Sequence, residues 1–437
     1  VPWRKLERHV FRIQKRIYRA SQHGKQRAVQ KLQKLLLKSE AARMLAVRQQ
    51  RAQEEKGAGA HGVRRQLAGS EQIRPRRWRS QHPVARIVAL PDRAQQALVR
   101  IALEPAWEAR FASESAGCRP GRFSCDALSA IREAMRGRDS YVLAVDLHGC
   151  LAIIDRGALL CKLQAVPAVR RAVKAWLSVA VDGASALTGG RVERCAEIAP
   201  FLVDVALHGL ATHLAEACRR GGEDARVVQY ADTFVVLHPT LAGVRRARTM
   251  AQAWLQESGL ALQTGQATIA HTLRPYQGKV GFDFLGWTVR QCPVRSNHAR
   301  RAPGLVTSIR PTRERVLRHM QAIKRMINAN VAVSQETLIR RLNPMVWAWA
   351  ADCQASGATE GLAACDHRLC WLLWRWARRR HPNKGWGWVR ERYWRRVGNR
   401  QWAFGARDGT TLRLHSQTGS RRRVQAAGPA PSAGVGA

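Results

Sequence analysis

The stretch that most narrows what this chain can become is Gln229-Tyr230-Ala231-Asp232-Thr233-Phe234-Val235-Val236-Leu237. Apolar and β-branched residues follow a turn-forming Ala231-Asp232 pair, and Val227 and Val228 precede it. That pattern predicts a β-hairpin with its tight turn at Ala231-Asp232. A carboxylate at such a tip is exposed and held on a rigid scaffold, which suits a metal ligand. A second apolar run, Tyr141-Val142-Leu143-Ala144-Val145, ends in Asp146 and predicts a buried strand that delivers another carboxylate to its end.

Charge sets the partner. The chain has 437 residues, with 74 Lys+Arg against 31 Asp+Glu and a net charge of +43. A compact body repels itself at that charge unless a polyanion neutralises it, so nucleic acid is the expected partner. No run of 18 uncharged apolar residues occurs, so no membrane partner is expected. A ribosomal-type structural protein can be this basic, but fifteen tryptophans in so long a chain fit a packed, enzyme-like body better. None of the ten cysteines forms a Cys-x-x-Cys pair, so no zinc site is expected. Reduced thiols suggest a bacterial cytoplasm or the interior of a mitochondrion or chloroplast.

At the amino end, Leu6, Val10, Ile13 and Ile17, then Val29, Leu32 and Leu36, recur at helical spacing, with Gly24 as the break between two helices. Lys15, Arg16, Lys25, Arg27, Lys31 and Lys34 lie between them. They are either solvated charges or an RNA-facing surface. Near the other end, residues 371–400 hold ten Lys/Arg, one acidic residue (Glu391) and six interleaved tryptophans. Cations for phosphates with flat rings for exposed bases is the chemistry of single-stranded or folded RNA binding. Arg375, Arg378, Arg379, Arg380, Lys384, Trp386, Trp388, Arg395 and Arg396 are the candidates there, with Arg119 and Arg122 in a Gly/Pro-punctuated loop as further phosphate contacts. The plainer reading makes some of these tryptophans core.

Several motifs together resemble group II intron-encoded reverse transcriptase/maturases. Tyr230-Ala231-Asp232-Thr233 resembles the Tyr-Ala-Asp-Asp signature, with Thr233 in place of the second aspartate. Asp146-Leu147-His148-Gly149-Cys150-Leu151-Ala152 resembles the first aspartate-bearing polymerase motif, without its lysine, aromatics and second acidic group. Gly117-Cys118-Arg119-Pro120-Gly121-Arg122 and Gly281-Phe282-Asp283-Phe284-Leu285-Gly286-Trp287 match family turns. Glu193-Arg194-Cys195-Ala196 lacks a family Gln and two glycines, and Gln266 stands for a lysine.

The resemblance implies an α+β fold: a right-hand polymerase-like palm of antiparallel sheet and packed helices, reduced fingers and an α-helical thumb or maturase domain. The expected division is a basic helical region at 1–57, truncated fingers at 58–91, palm at 92–300, thumb at 301–404 and a basic disordered tail at 405–437. Basic helices are expected from about Leu305, one of them opened by Ser308-Ile309-Arg310-Pro311. Asp146 and Asp232 become a remnant catalytic and metal pair that holds Mg²⁺ weakly. The substitutions fall on nucleotide- and metal-handling positions, whereas the basic ends persist. The expected function is therefore binding of group II intron RNA to assist its folding and splicing, with polymerase activity weak or lost. An active RNA-directed DNA polymerase and a structural RNA-binding subunit of a larger ribonucleoprotein are the alternatives.

Overall fold

The computed structural model describes residues 1–60, 91–111, 117, 122–178, 197–220, 225–260, 262, 265–294, 304–397 and 400–417. Two compact units divide the chain. One comprises Val1–Arg122, Val145–Val236 and Ala242–Thr268; the other comprises Phe123–Ala144, Leu237–Leu241 and Ile269–Ala437.

The first unit begins with α1 (Trp3–Gln22), α2 (Gln26–Lys38) and α3 (Glu40–Ala60), which pack on α4 (Asp92–Glu108). Val10, Ile13 and Ile17 recur every three to four residues and are buried, as are Val29 and Leu36. Gly24, at φ +66°, turns the chain between α1 and α2. Pro105 lies inside α4 and has no N–H to give the carbonyl four residues earlier, that of Ile101. Gln14 of α1 supplies the missing donor, its Nε2 3.1 Å from the Ile101 oxygen. The Ser21 hydroxyl donates to the Ala106 carbonyl at 2.8 Å. The basic helices are thus tied to α4 by polar bonds as well as by their apolar stripe.

Downstream come α5 (Ser124–Ala134), β1 (Tyr141–Asp146), α6 (Cys150–Ile153), α7 (Arg156–Leu163), α8 (Pro167–Ser178), α9 (Ala199–Leu207) and α10 (Leu210–Arg220). β2 (Arg226–Tyr230), β3 (Thr233–His238), α11 (Leu241–Glu257) and β4 (Ala267–His271) follow, and the four strands form one sheet in the order β2-β3-β1-β4. Ala199–Arg219 is the one stretch among the described residues with the length and hydropathy of a membrane span. It is two helices separated at His208-Gly209, and just over half of its most apolar window is buried in protein. The Lys162 ammonium of α7 satisfies the carbonyls freed at that break, donating to Ala206 and His208 at 2.7 and 2.8 Å.

In the second unit β5 (Phe282–Phe284), β6 (Trp287–Val294) and β7 (Gly304–Pro311) form an antiparallel sheet. The β5–β6 turn places Leu285 and Gly286 at φ +52° and +76°, the backbone of a two-residue hairpin loop. Arg315 reinforces it, donating to the Leu285 carbonyl at 3.1 Å and lying 4.3 Å over the Trp287 ring. β7 corrects the expectation of helix from Leu305. Leu305-Val306-Thr307-Ser308-Ile309 is rich in β-branched residues and pairs with β6, so Thr312 becomes the cap of the next helix rather than a residue within it.

That helix is α12 (Arg313–Ala329), followed by α13 (Gln335–Ala355), α14 (Leu362–Arg380), α15 (Trp386–Tyr393) and the hairpin of β8 (Trp394–Val397) and β9 (Arg400–Phe404). Met320, Ile323 and Ile327 pack with Leu338, Leu342, Leu369, Leu373 and Trp376 in one core. α13 runs through Pro344 without ending.

The expected disordered tail is corrected for its first part. Residues 405–417 are folded: Ala406 and Leu412 join the same core, and Asp408 holds a turn by accepting the Thr410 N–H and hydroxyl at 2.8 and 2.7 Å. Asp366 of α14 then accepts two hydrogen bonds from His415 and two from Ser416, at 2.6–2.9 Å. Polar and glycine-rich composition hid a segment anchored by very few buried groups. Residues 418–437 lie outside those described, as do residues 61–90 of the fingers expected at 58–91, whereas residues 58–60 belong to α3.

Candidate nucleic-acid interface and carboxylate pair

The hairpin forms as its sequence requires, with Ala231 at φ +50° in the two-residue turn between β2 and β3. The Asp146 N–H donates to the Gln266 carbonyl at 2.9 Å, and the Leu147 N–H to the Asp232 carbonyl at 3.0 Å. The end of β1 is therefore laced between the start of β3 and the residue preceding β4, which sets Asp146 and Asp232 side by side. Asp146 is exposed, and its Oδ1 accepts the His148 N–H at 3.0 Å.

Burial pushes the Asp232 carboxyl above its ordinary range, and the Asp146 charge adds to that; the charge of His148 and the Thr233 hydroxyl pull the other way. Thr233 is buried, with its hydroxyl 3.5 Å from Asp232 Oδ1. Cys150 beneath the pair is pushed up to about 12, first by burial and then by Asp232, so it is an inert thiol. Among the described residues no group of three His, Cys, Asp or Glu side chains could hold a metal. Two carboxylates offer a Mg²⁺ ion a partial oxygen shell, but a pair of ions about 3.5–4 Å apart needs more anionic ligands than the described residues place here.

Leu151, at the position of a family aromatic, is buried at 2% exposure. Gln266 contributes its backbone carbonyl to the strand end. Arg194, Cys195 and Ala196 lie outside the described residues, as does Arg119. Arg122 is exposed just before α5. Gly117, of the same loop, lies against the buried Asp204 carboxylate, where any Cβ would collide.

The amino-terminal cations emerge on the outside of their helices. Lys15 and Arg16 on α1, Arg27, Lys31 and Lys34 on α2, and Lys25 between them are all exposed, while the apolar stripe faces inward.

The carboxy-terminal cluster is divided by the fold. Trp376 and Trp394 are core residues, and the Trp376 indole N–H donates to the Asn330 carbonyl at 2.8 Å. Trp386 and Trp388 are exposed, with Arg378 5.0 Å over the first ring and Lys384 5.6 Å over the second. Arg375, Arg379 and Arg396 are exposed; Arg395 is half-buried on β8. Arg380 differs from its neighbours: its guanidinium donates to the Val331 and Val333 carbonyls and lies over Trp376, so it ties α14 to the α12–α13 loop. Trp371 and Trp402 are also exposed, 5.5 Å from Arg375 and 4.5 Å from Arg390. The Trp371–Arg375 pair is visible as an i, i+4 spacing on one helix. The Trp402–Arg390 pair joins β9 to α15, and no local pattern announces it.

Three family models match. The N-terminal domain of reverse transcriptase matches residues 1–79, and the reverse transcriptase (RNA-dependent DNA polymerase) model matches residues 79–289. The group II intron, maturase-specific domain matches residues 316–394. No curated protein matches the chain.

Proposed function

Because this chain belongs to the group II intron-encoded reverse transcriptase/maturases, we propose that it works as a maturase: it binds intron RNA and assists RNA folding and splicing, and DNA synthesis has been lost. The observation that carries this reading is the contrast between the two ends of the chemistry. At the hairpin, Thr233 is buried and turned onto Asp232, and two carboxylates lie side by side with no third His, Cys, Asp or Glu to complete a metal group among the described residues. Along α14, α15 and β9, four tryptophans stand in solvent, each with a cation within about 6 Å. Exposed indoles paired with cations stack bases and neutralise phosphates, and both actions stabilise folded RNA without bond making. The amino-terminal cations on α1 and α2 provide a second basic surface on the other unit. In this reading the sheet, the α1–α4 helices and the α12–α14 helices serve as palm, amino-terminal RNA-binding region and thumb. Asp146 and Asp232 keep the capacity to bind a single Mg²⁺ weakly.

Primer extension and splicing separate the polymerase from the maturase. With Mg²⁺ or Mn²⁺, template-dependent synthesis is expected at background, while splicing of the bound intron at low Mg²⁺ is expected to accelerate when the protein is added. Robust synthesis that Asp232→Ala abolishes would overturn the loss of polymerase activity. Recovery of ribosomal rather than intron RNA after crosslinking would overturn the splicing role.

A further inference from the structure

The face of α14 that carries Trp371 borders a cavity of about 570 Å³, inside the range of about 300–1,000 Å³ typical of small-ligand sites. Arg368, Trp371 and Arg375 recur every three to four residues along that face, and Gln321 and Lys324 of α12 form the opposite wall over the buried Met320. Among the described residues, three full cations line it and no carboxylate does. The adjoining cavity of about 470 Å³ differs, because its Arg310 is already paired with Glu360.

Trp371 is 59% exposed, with the Arg375 guanidinium 5.5 Å from its ring. An indole left in water on a helix that buries Trp376 one and a half turns later adds little to folding. What complements three cations beside a flat ring is an anion carrying a flat ring.

The geometry points to a pocket for one unpaired RNA nucleotide, its base against Trp371 and its flanking phosphates between Lys324, Arg368 and Arg375. This assignment rests on the RNA-binding reading and adds a place and a strand state to it. The Gln321 amide, which both donates and accepts, is at hand for a base edge. Paired RNA cannot present such a base, because its rings are stacked in the helix.

The test uses the full chain and two probes containing 5-iodouridine: a single-stranded RNA of about 12 nucleotides and the same strand in a full duplex. Ultraviolet crosslinking followed by peptide mapping is expected to mark Trp371 with the single strand and not with the duplex. Trp371→Ala is expected to weaken single-strand binding on the order of tenfold or more, and Trp371→Phe much less. Trp347→Ala, another exposed tryptophan that does not line this cavity, is the comparator and should leave affinity unchanged. Unchanged affinity in Trp371→Ala, with crosslinks elsewhere, would overturn the pocket while leaving intron binding intact. Equal losses in Trp371→Ala and Trp347→Ala would also overturn it. Absence of intron RNA binding by the unaltered chain would overturn the maturase reading itself. Unchanged melting temperatures of the variants would show that any loss belongs to the pocket rather than to unfolding.

Discussion

The Asp232 carboxyl sits where burial, and then the Asp146 charge, oppose its ionisation, so its folded pKa lies above the ordinary 3.8. The folded protein therefore binds this proton more tightly than the unfolded chain. Stability falls as pH rises from below 3.8 through the raised value, and the penalty is complete above it. Asp232→Asn removes the charge. Its melting temperature should exceed that of the parent at pH 7 and converge with it in acid. A lower melting temperature for the variant at pH 7 would contradict this account. The same position explains Thr233: a buried hydroxyl bound to Asp232 adds no charge to a site already crowded by two carboxylates.

Elements here are held by a few polar bonds at points where the backbone alone leaves groups unsatisfied. Gln14 fills the carbonyl that Pro105 orphans, and Lys162 fills those at the α9–α10 break. Asp366 anchors the segment after β9. Burial pushes its carboxyl up, but four hydrogen bonds from His415 and Ser416 outweigh that and hold it below 3.8. The sign is opposite to that of Asp232: this contribution is present above the unfolded value and is lost as pH falls through the folded one. Asp366→Ala should cost about 3 kcal/mol and expose residues 405–417 to protease. Urea unfolding and limited proteolysis measure the two effects; an unchanged cleavage pattern would refute the anchoring role.

For the whole molecule, a charge of +43 makes RNA affinity a function of salt. The fold decides which cations carry that dependence. Replacing Arg375, Arg378 and Arg379 together with Ala should lower the slope of log affinity against log salt by about 2 for single-stranded RNA. Arg380→Ala should instead lower thermal stability with little change in slope, because its guanidinium serves the Val331 and Val333 carbonyls. Filter binding at several salt concentrations distinguishes the four arginines, and an equal slope change for Arg380 would contradict its assignment.

Much of this was legible in the amino-acid order. The Ala231-Asp232 turn, the strand ending at Asp146 and the helices of Val10–Ile17 and Val29–Leu36 follow from local periodicity, which acts over a few residues. The excess of positive charge fixed the class of partner. Tertiary structure alone decided the rest, since it depends on which distant groups meet. Local signals could not separate Trp376 in the core from Trp371 in water, or Arg380 on carbonyls from Arg379 in solvent. Nor could they show that Leu305–Ile309 would find β6 as a partner and become strand, or that Asp366 would fold a segment whose composition reads as tail. Periodicity is a property of neighbours in sequence, whereas burial, hydrogen-bond satisfaction and cation–ring pairing are properties of neighbours in space.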